Sequence, residues 1–141
     1  MKFFYLFICL ATIQQLSFSQ NPKILTVEVN GISDIKGNIV VNVYNNKEGF
    51  PTKPAKAKYS KVVKAVSKTM EIAFENIQDT TIAVSVFQDK NSNGKLDTNF
   101  FGIPREPVGV SNNAKGTLGP PSFKDAKFKF ISSKTISITI E

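Results

Sequence analysis

The sequence predicts an all-β domain, a two-sheet sandwich of about seven antiparallel strands. Three features point there. Short runs alternate apolar and polar residues with a period of two. Those runs are rich in Val, Ile, Thr and aromatics and are separated by Asn, Gly, Pro and Ser. No stretch sustains a helical period, and many short strands with turn-rich connections make a sandwich rather than a mixed fold. An edge-protected barrel is the second architecture compatible with this pattern.

The first strand is read at Ile24 to Val29, with Leu25, Val27 and Val29 on one face. The second is Ile39 to Tyr44, with Ile39, Val41 and Val43 aligned. The two are expected to pair as a hairpin around Ser33 to Lys36. Lys61 to Val66 reads as a weaker strand, and Thr69 to Phe74 alternates through Met70, Ile72 and Phe74. Thr80 to Gln88 is the most apolar run, which predicts a central strand covered on both faces. Alternation through Ala126, Phe128 and Phe130, and then through Ile136, Ile138 and Ile140, completes the set. Immunoglobulin-like and prealbumin-like arrangements both accommodate such a list.

Residues 1–19 read as a secretory signal peptide: Lys2, an apolar run from Phe3 to Ala11, and small residues Ser17 and Ser19 before a cut at Gln20. The run is shorter than the roughly 20 residues that span a bilayer. The expectation is therefore an exported protein, periplasmic or secreted, with residues 20–141 forming one domain and no transmembrane segment in the mature chain. Cys9 lies inside the apolar run, away from the position of a lipoprotein cysteine, and there is no histidine. A mature chain without Cys or His has no disulfide. It excludes a Ser-His-Asp triad, a Cys nucleophile and His/Cys zinc sites.

Lys and Arg number 18 against 11 Asp and Glu, a net charge of +7. Arg105 is the arginine among these cations. A lysine surface with so little arginine fits a solvated, aggregation-resistant exterior, and no nucleic-acid partner is expected.

The segment Asp89-Lys90-Asn91-Ser92-Asn93-Gly94-Lys95-Leu96-Asp97 follows the central strand directly. Oxygen-bearing side chains stand at relative positions one, three, five and nine, with glycine at six. This is the spacing of the acidic half of a calcium loop. In a tight turn alternate residues converge, so Asp89, Asn91 and Asn93 offer side-chain oxygens, Lys95 its carbonyl and Asp97 its carboxylate. The bidentate Glu of an EF-hand is absent, since Phe100 holds position twelve. A distant carboxylate, Glu106 or Asp125, would then complete the shell. With two charged ligands the affinity expected is weak, on the order of 10⁻⁴ to 10⁻³ M. The metal-free alternative is an Asn93-Gly94 turn with Asp89 and Asn91 forming Asx-turns.

The run Ala83 to Asn99 around that loop, Gly102-Ile103-Pro104-Arg105-Glu106-Pro107, Ser111-Asn112-Asn113 and Pro120-Pro121-Ser122-Phe123-Lys124-Asp125-Ala126 together resemble the bacterial family DUF2141. The resemblance implies an exported β-sandwich of unassigned function. Two departures stand out. Gln88 replaces a histidine common before the first Asp, and Ile77 to Ile82 replaces a Leu-Pro-x-Gly-x-Tyr lead-in. A role that needed that histidine does not carry over.

Thr98 to Lys124 shows no period. Its stiff prolines and its apolar residues Phe100, Phe101, Ile103, Val110, Leu118 and Phe123 are expected to form an ordered loop that caps one end of the core. The functional expectation is a non-catalytic module binding an extracytoplasmic glycan, peptide or protein. A structural envelope role, with the loop merely stabilising the fold, is the alternative. A hydrolase using paired carboxylates from Asp89, Asp97 and Glu106 ranks behind both. Exposed aromatics and a cleft in the long loop would favour binding, and burial of those residues a structural role.

Overall fold

The computed structural model describes residues 22–141, so the leader, its cleavage point and Cys9 lie outside the described residues. Eight strands form among these residues: β1 Leu25–Asn30, β2 Asn38–Tyr44, β3 Tyr59–Lys64, β4 Met70–Phe74, β5 Thr81–Asp89, β6 Val108–Val110, β7 Phe128–Lys129 and β8 Lys134–Thr139. They build two packed sheets. One has the order β4-β1-β8 and the other β3-β2-β5-β6, with β7 pairing the start of β5. The chain is an all-β sandwich, as its alternation predicts.

The faces predicted to be inward are inward. Leu25, Val27 and Val29 of β1, Ile39, Val41 and Val43 of β2, and Ile82, Val84 and Val86 of β5 are buried in one core with Ile72, Phe74 and Ile138. Each such side chain removed from water contributes on the order of 1.5–3 kcal/mol. β5 is covered on both faces because loops pack over the outer side of its sheet. There Ala83, Val110 and Ala126 form a second cluster with Phe50, Ala114 and Phe123. Phe50 stands edge-to-face with Tyr44 at 5.3 Å and with Phe123 at 5.8 Å.

Several expectations are corrected. β1 and β2 do not form a hairpin: β1 pairs β4 and β8, and β2 pairs β3 and β5. Their connection is an arch between sheets, which lets both apolar faces meet across the core. The sandwich is not wholly antiparallel, since β1 and β8 run parallel. The third strand begins at Tyr59, two residues before the alternation suggested, where Val43 takes it up in register. Ala126 ends a short helix, α1 Phe123–Ala126, instead of starting a strand. Ser122 caps that helix by accepting the Asp125 N–H. Inside the apparently structureless segment lies β6, too short at three residues to reveal a period.

Candidate functional site

The central strand delivers Asp89 as its last residue, 1 % exposed. Its carboxylate turns into the following loop and accepts the N–H of Asn93 at 3.1 Å and of Gly94 at 2.8 Å. Asn91 Oδ1 accepts the N–H of Asn93, and Asn93 Oδ1 that of Lys95, each an Asx-type bond two residues on. Gly94 sits at φ +77°, the left-handed region that favours glycine. Asp97 closes the ring, receiving Asn91 Nδ2 at 2.6 Å and Asn93 Nδ2 at 2.9 Å. Asp89, Asn91, Asn93 and Asp97 are thus brought together, and Lys95 contributes its N–H. The two amides present NH₂ groups, not oxygens, to Asp97.

Glu106 joins this loop from a distance in sequence. It is 7 % exposed, with Oε1 accepting the Lys90 N–H at 2.8 Å and Oε2 the Asp97 N–H at 3.0 Å. Asp125, the other distant carboxylate considered, is elsewhere, bonded to Ser122 beside α1. Beneath the loop, Gln88 is fully buried and its Nε2 donates to the carbonyls of Asp34 and Lys36 in the β1–β2 arch. Gln88 is therefore a clamp on that arch. Gly37 of the arch, at φ +68°, approaches so closely that an added Cβ would stand 2.0 Å from the Asp89 carbonyl oxygen. Lys36, Lys90 and Arg105 border a polar hollow of about 470 Å³ beside Asp97 and Glu106.

Beyond Asp97 the chain makes a tight projecting turn. Thr98 bridges Pro104. Asn99 staples the tip: its Oδ1 accepts the N–H groups of Phe101 and Ile103, its carbonyl accepts that of Gly102, and its own N–H donates to the Ile103 carbonyl. Phe100 and Phe101, edge-to-face at 5.5 Å, are held out at 96 % and 82 % exposure.

This tip is one wall of a groove of about 1010 Å³ on the outer side of the larger sheet. Phe101, Ile103 and Pro104 line it together with Leu118, Pro120 and Pro121 and with Phe87 and Val110 of the sheet. Ile103 is 59 % exposed and Leu118 fully so. The expectation that all six apolar residues of the long loop pack inward is corrected. Val110 is buried and Phe123 half-buried, whereas Phe100, Phe101, Ile103 and Leu118 face solvent. At Phe100, Phe101 and Ile103 the turn satisfies its backbone hydrogen bonds locally, so these side chains are not drawn in.

The groove itself was not legible in the sequence, because its walls come from two turns that only the fold brings opposite one another. The Asn99-x-x-Gly102 spacing was the available sign of a stapled tip. Near the floor, Ser85 Oγ and Asn42 Nδ2, on facing residues of β5 and β2, are buried without a hydrogen-bond partner. Burial pushes the Tyr44 phenol up.

Among the described residues no helix is long and apolar enough to cross a membrane. They also contain no group of three or more His, Cys, Asp or Glu placed to hold a metal ion. No curated protein and no solved structure matches the chain. One family model does match, over residues 27–139, that of an uncharacterized protein conserved in bacteria. The match takes in both sheets, the Asp89–Asp97 loop and both walls of the groove, and the chain belongs to the DUF2141 family.

Proposed function

We propose that this protein is an exported, non-catalytic binding module that takes an extracytoplasmic glycan, peptide or protein segment in the groove between the Phe101–Pro104 and Leu118–Pro121 turns. The observation that carries the reading is the exposure of Phe101, Ile103 and Leu118 along that groove. A purely structural loop would bury them. Apolar side chains left exposed on turns beside a sheet suit recognition. A thermal-shift screen against soluble oligosaccharides and unstructured peptides tests it. The expected result is at least one ligand that raises Tm for wild type and not for Ile103→Ser/Leu118→Ser. A ligand that stabilises both proteins equally would place the site elsewhere.

A second reading adds weak calcium binding at Asp89, Asn91, Asn93, Lys95 and Asp97. The convergence of four oxygen-bearing side chains favours it. Asp89 and Asp97 would supply charge. Asn91 and Asn93 would turn their amide oxygens inward, giving up their bonds to Asp97. In this role the ion braces the base of the groove wall.

A further inference from the structure

We infer that the Thr98–Pro104 tip is a peripheral membrane anchor, with Phe100 and Phe101 entering the acyl boundary of an anionic lipid surface. This goes beyond the groove reading, because Phe100 does not line the groove.

The first argument is shape. Phe100 to Pro104 are all exposed, a Cβ at Gly102 would meet open space, and the bonds centred on Asn99 hold the turn's form. A protein partner would need a pocket cut to receive two rings at right angles. A bilayer surface accepts any apolar protrusion of this size. Phe100 at 96 % exposure turns almost its whole ring to solvent, and among the described residues its aromatic contact is with Phe101, itself exposed. Apolar side chains rimmed by cations are the composition of interfacial anchors.

The second argument is charge. Lys and Arg exceed Asp and Glu by 18 to 11 in the sequence, so the chain as a whole is drawn to an anionic surface. At the base of the tip, Lys36, Lys90 and Arg105 surround a hollow that also includes Thr98. Among the described residues the ion pairs are Lys56 with Glu48 and Lys115 with Glu141, so none of these three cations is paired. The Asp97 and Glu106 carboxylates share the hollow and keep their charge, so its lining is three cations to two anions, and the excess adds to the positive charge of the chain in drawing lipid phosphates.

The sequence contains no tryptophan, so Phe100→Trp places a single fluorescent reporter at the tip of the full chain. Vesicles of phosphatidylcholine with one-quarter phosphatidylglycerol are added, and emission is followed with and without brominated lipid. The expected result is a blue shift, quenching by the brominated chains, and weaker partition to pure phosphatidylcholine.

In co-sedimentation, Phe100→Ser and Phe101→Ser each lower partition about tenfold. Arg105→Gln lowers it about fivefold on anionic vesicles alone. The exposed substitutions leave Tm unchanged, which separates lost anchoring from lost folding. Emission that stays water-like at millimolar lipid would overturn the inference. So would vesicle binding indifferent to Phe100→Ser, which would assign attachment to another surface. Neither result bears on ligand capture by the groove.

Discussion

Glu106 holds Asp97 by its backbone, Oε2 accepting the Asp97 N–H at 3.0 Å, while the other oxygen holds Lys90 at 2.8 Å. One buried carboxylate therefore spans the two ends of the Asp89–Asp97 loop and fixes where the groove's projecting wall begins. Glu106→Ala leaves two N–H groups without their acceptor. A loss of about 2–4 kcal/mol is expected in urea unfolding. Glu106→Gln keeps one acceptor oxygen and should lose less. Equal stability of Glu106→Ala and wild type would remove the clasp from the account.

Gly37 makes a sharper prediction. Its φ of +68° and the 2.0 Å approach of any Cβ to the Asp89 carbonyl leave no room for a side chain. Backbone atoms cannot yield as a flexible side chain can. Gly37→Ala is expected to cost at least about 3 kcal/mol. A well-folded variant of wild-type stability would show that the arch lies farther from β5.

Calcium is tested by paired thermal melts. A site with a dissociation constant near 0.1 mM gains about 2.7 kcal/mol in 10 mM calcium relative to chelator. Asp97→Asn should abolish the gain. Asp89→Ala does not discriminate, since Asp89 accepts the Asn93 and Gly94 N–H groups and its loss destabilises the loop with or without an ion. Identical melts in calcium and chelator would leave the loop as a set of Asx-turns.

Stability should also follow pH at both extremes. The hydrogen bond from Asn45, offset in part by burial and joined by smaller contributions from the Tyr59 hydroxyl and the Lys58 charge, holds the Asp79 carboxyl below its ordinary range. A depressed carboxylate stabilises the fold above its unfolded pKa, and that contribution fades as pH falls below about 4. Tyr44 is pushed upward, chiefly by burial. Its neutral phenol stabilises below its unfolded pKa, a contribution lost as pH climbs beyond about 10. Melts across pH should show Asp79→Asn flattening the acid limb and Tyr44→Phe the alkaline one. Unaltered limbs would contradict both assignments.

The strands were legible because burial of one face imposes a period of two, as in Leu25, Val27 and Val29. Their partners were not. Alternation names a face but not a neighbour, so β1 and β2 were joined as a hairpin although Gly37 and Gln88 bind their arch to β5. The site loop is legible from its spacing, and Glu106 is one of the two distant carboxylates that the sequence offers. Its actual work, on backbone N–H groups, could not be read from charge. The groove was hidden because Phe101 and Leu118 look like core residues in one dimension. The closed hydrogen bonding around Asn99 explains why Phe101 stays outside, and Leu118 is fully exposed on its own turn.

Ligand mapping by ¹⁵N-resolved NMR tests the central claim most directly. With a ligand from the thermal-shift screen, the account predicts shift changes gathered at Phe101, Ile103, Val110 and Leu118, the residues that surround one groove. Changes confined to other surfaces, with those four amides unmoved at saturation, would contradict it.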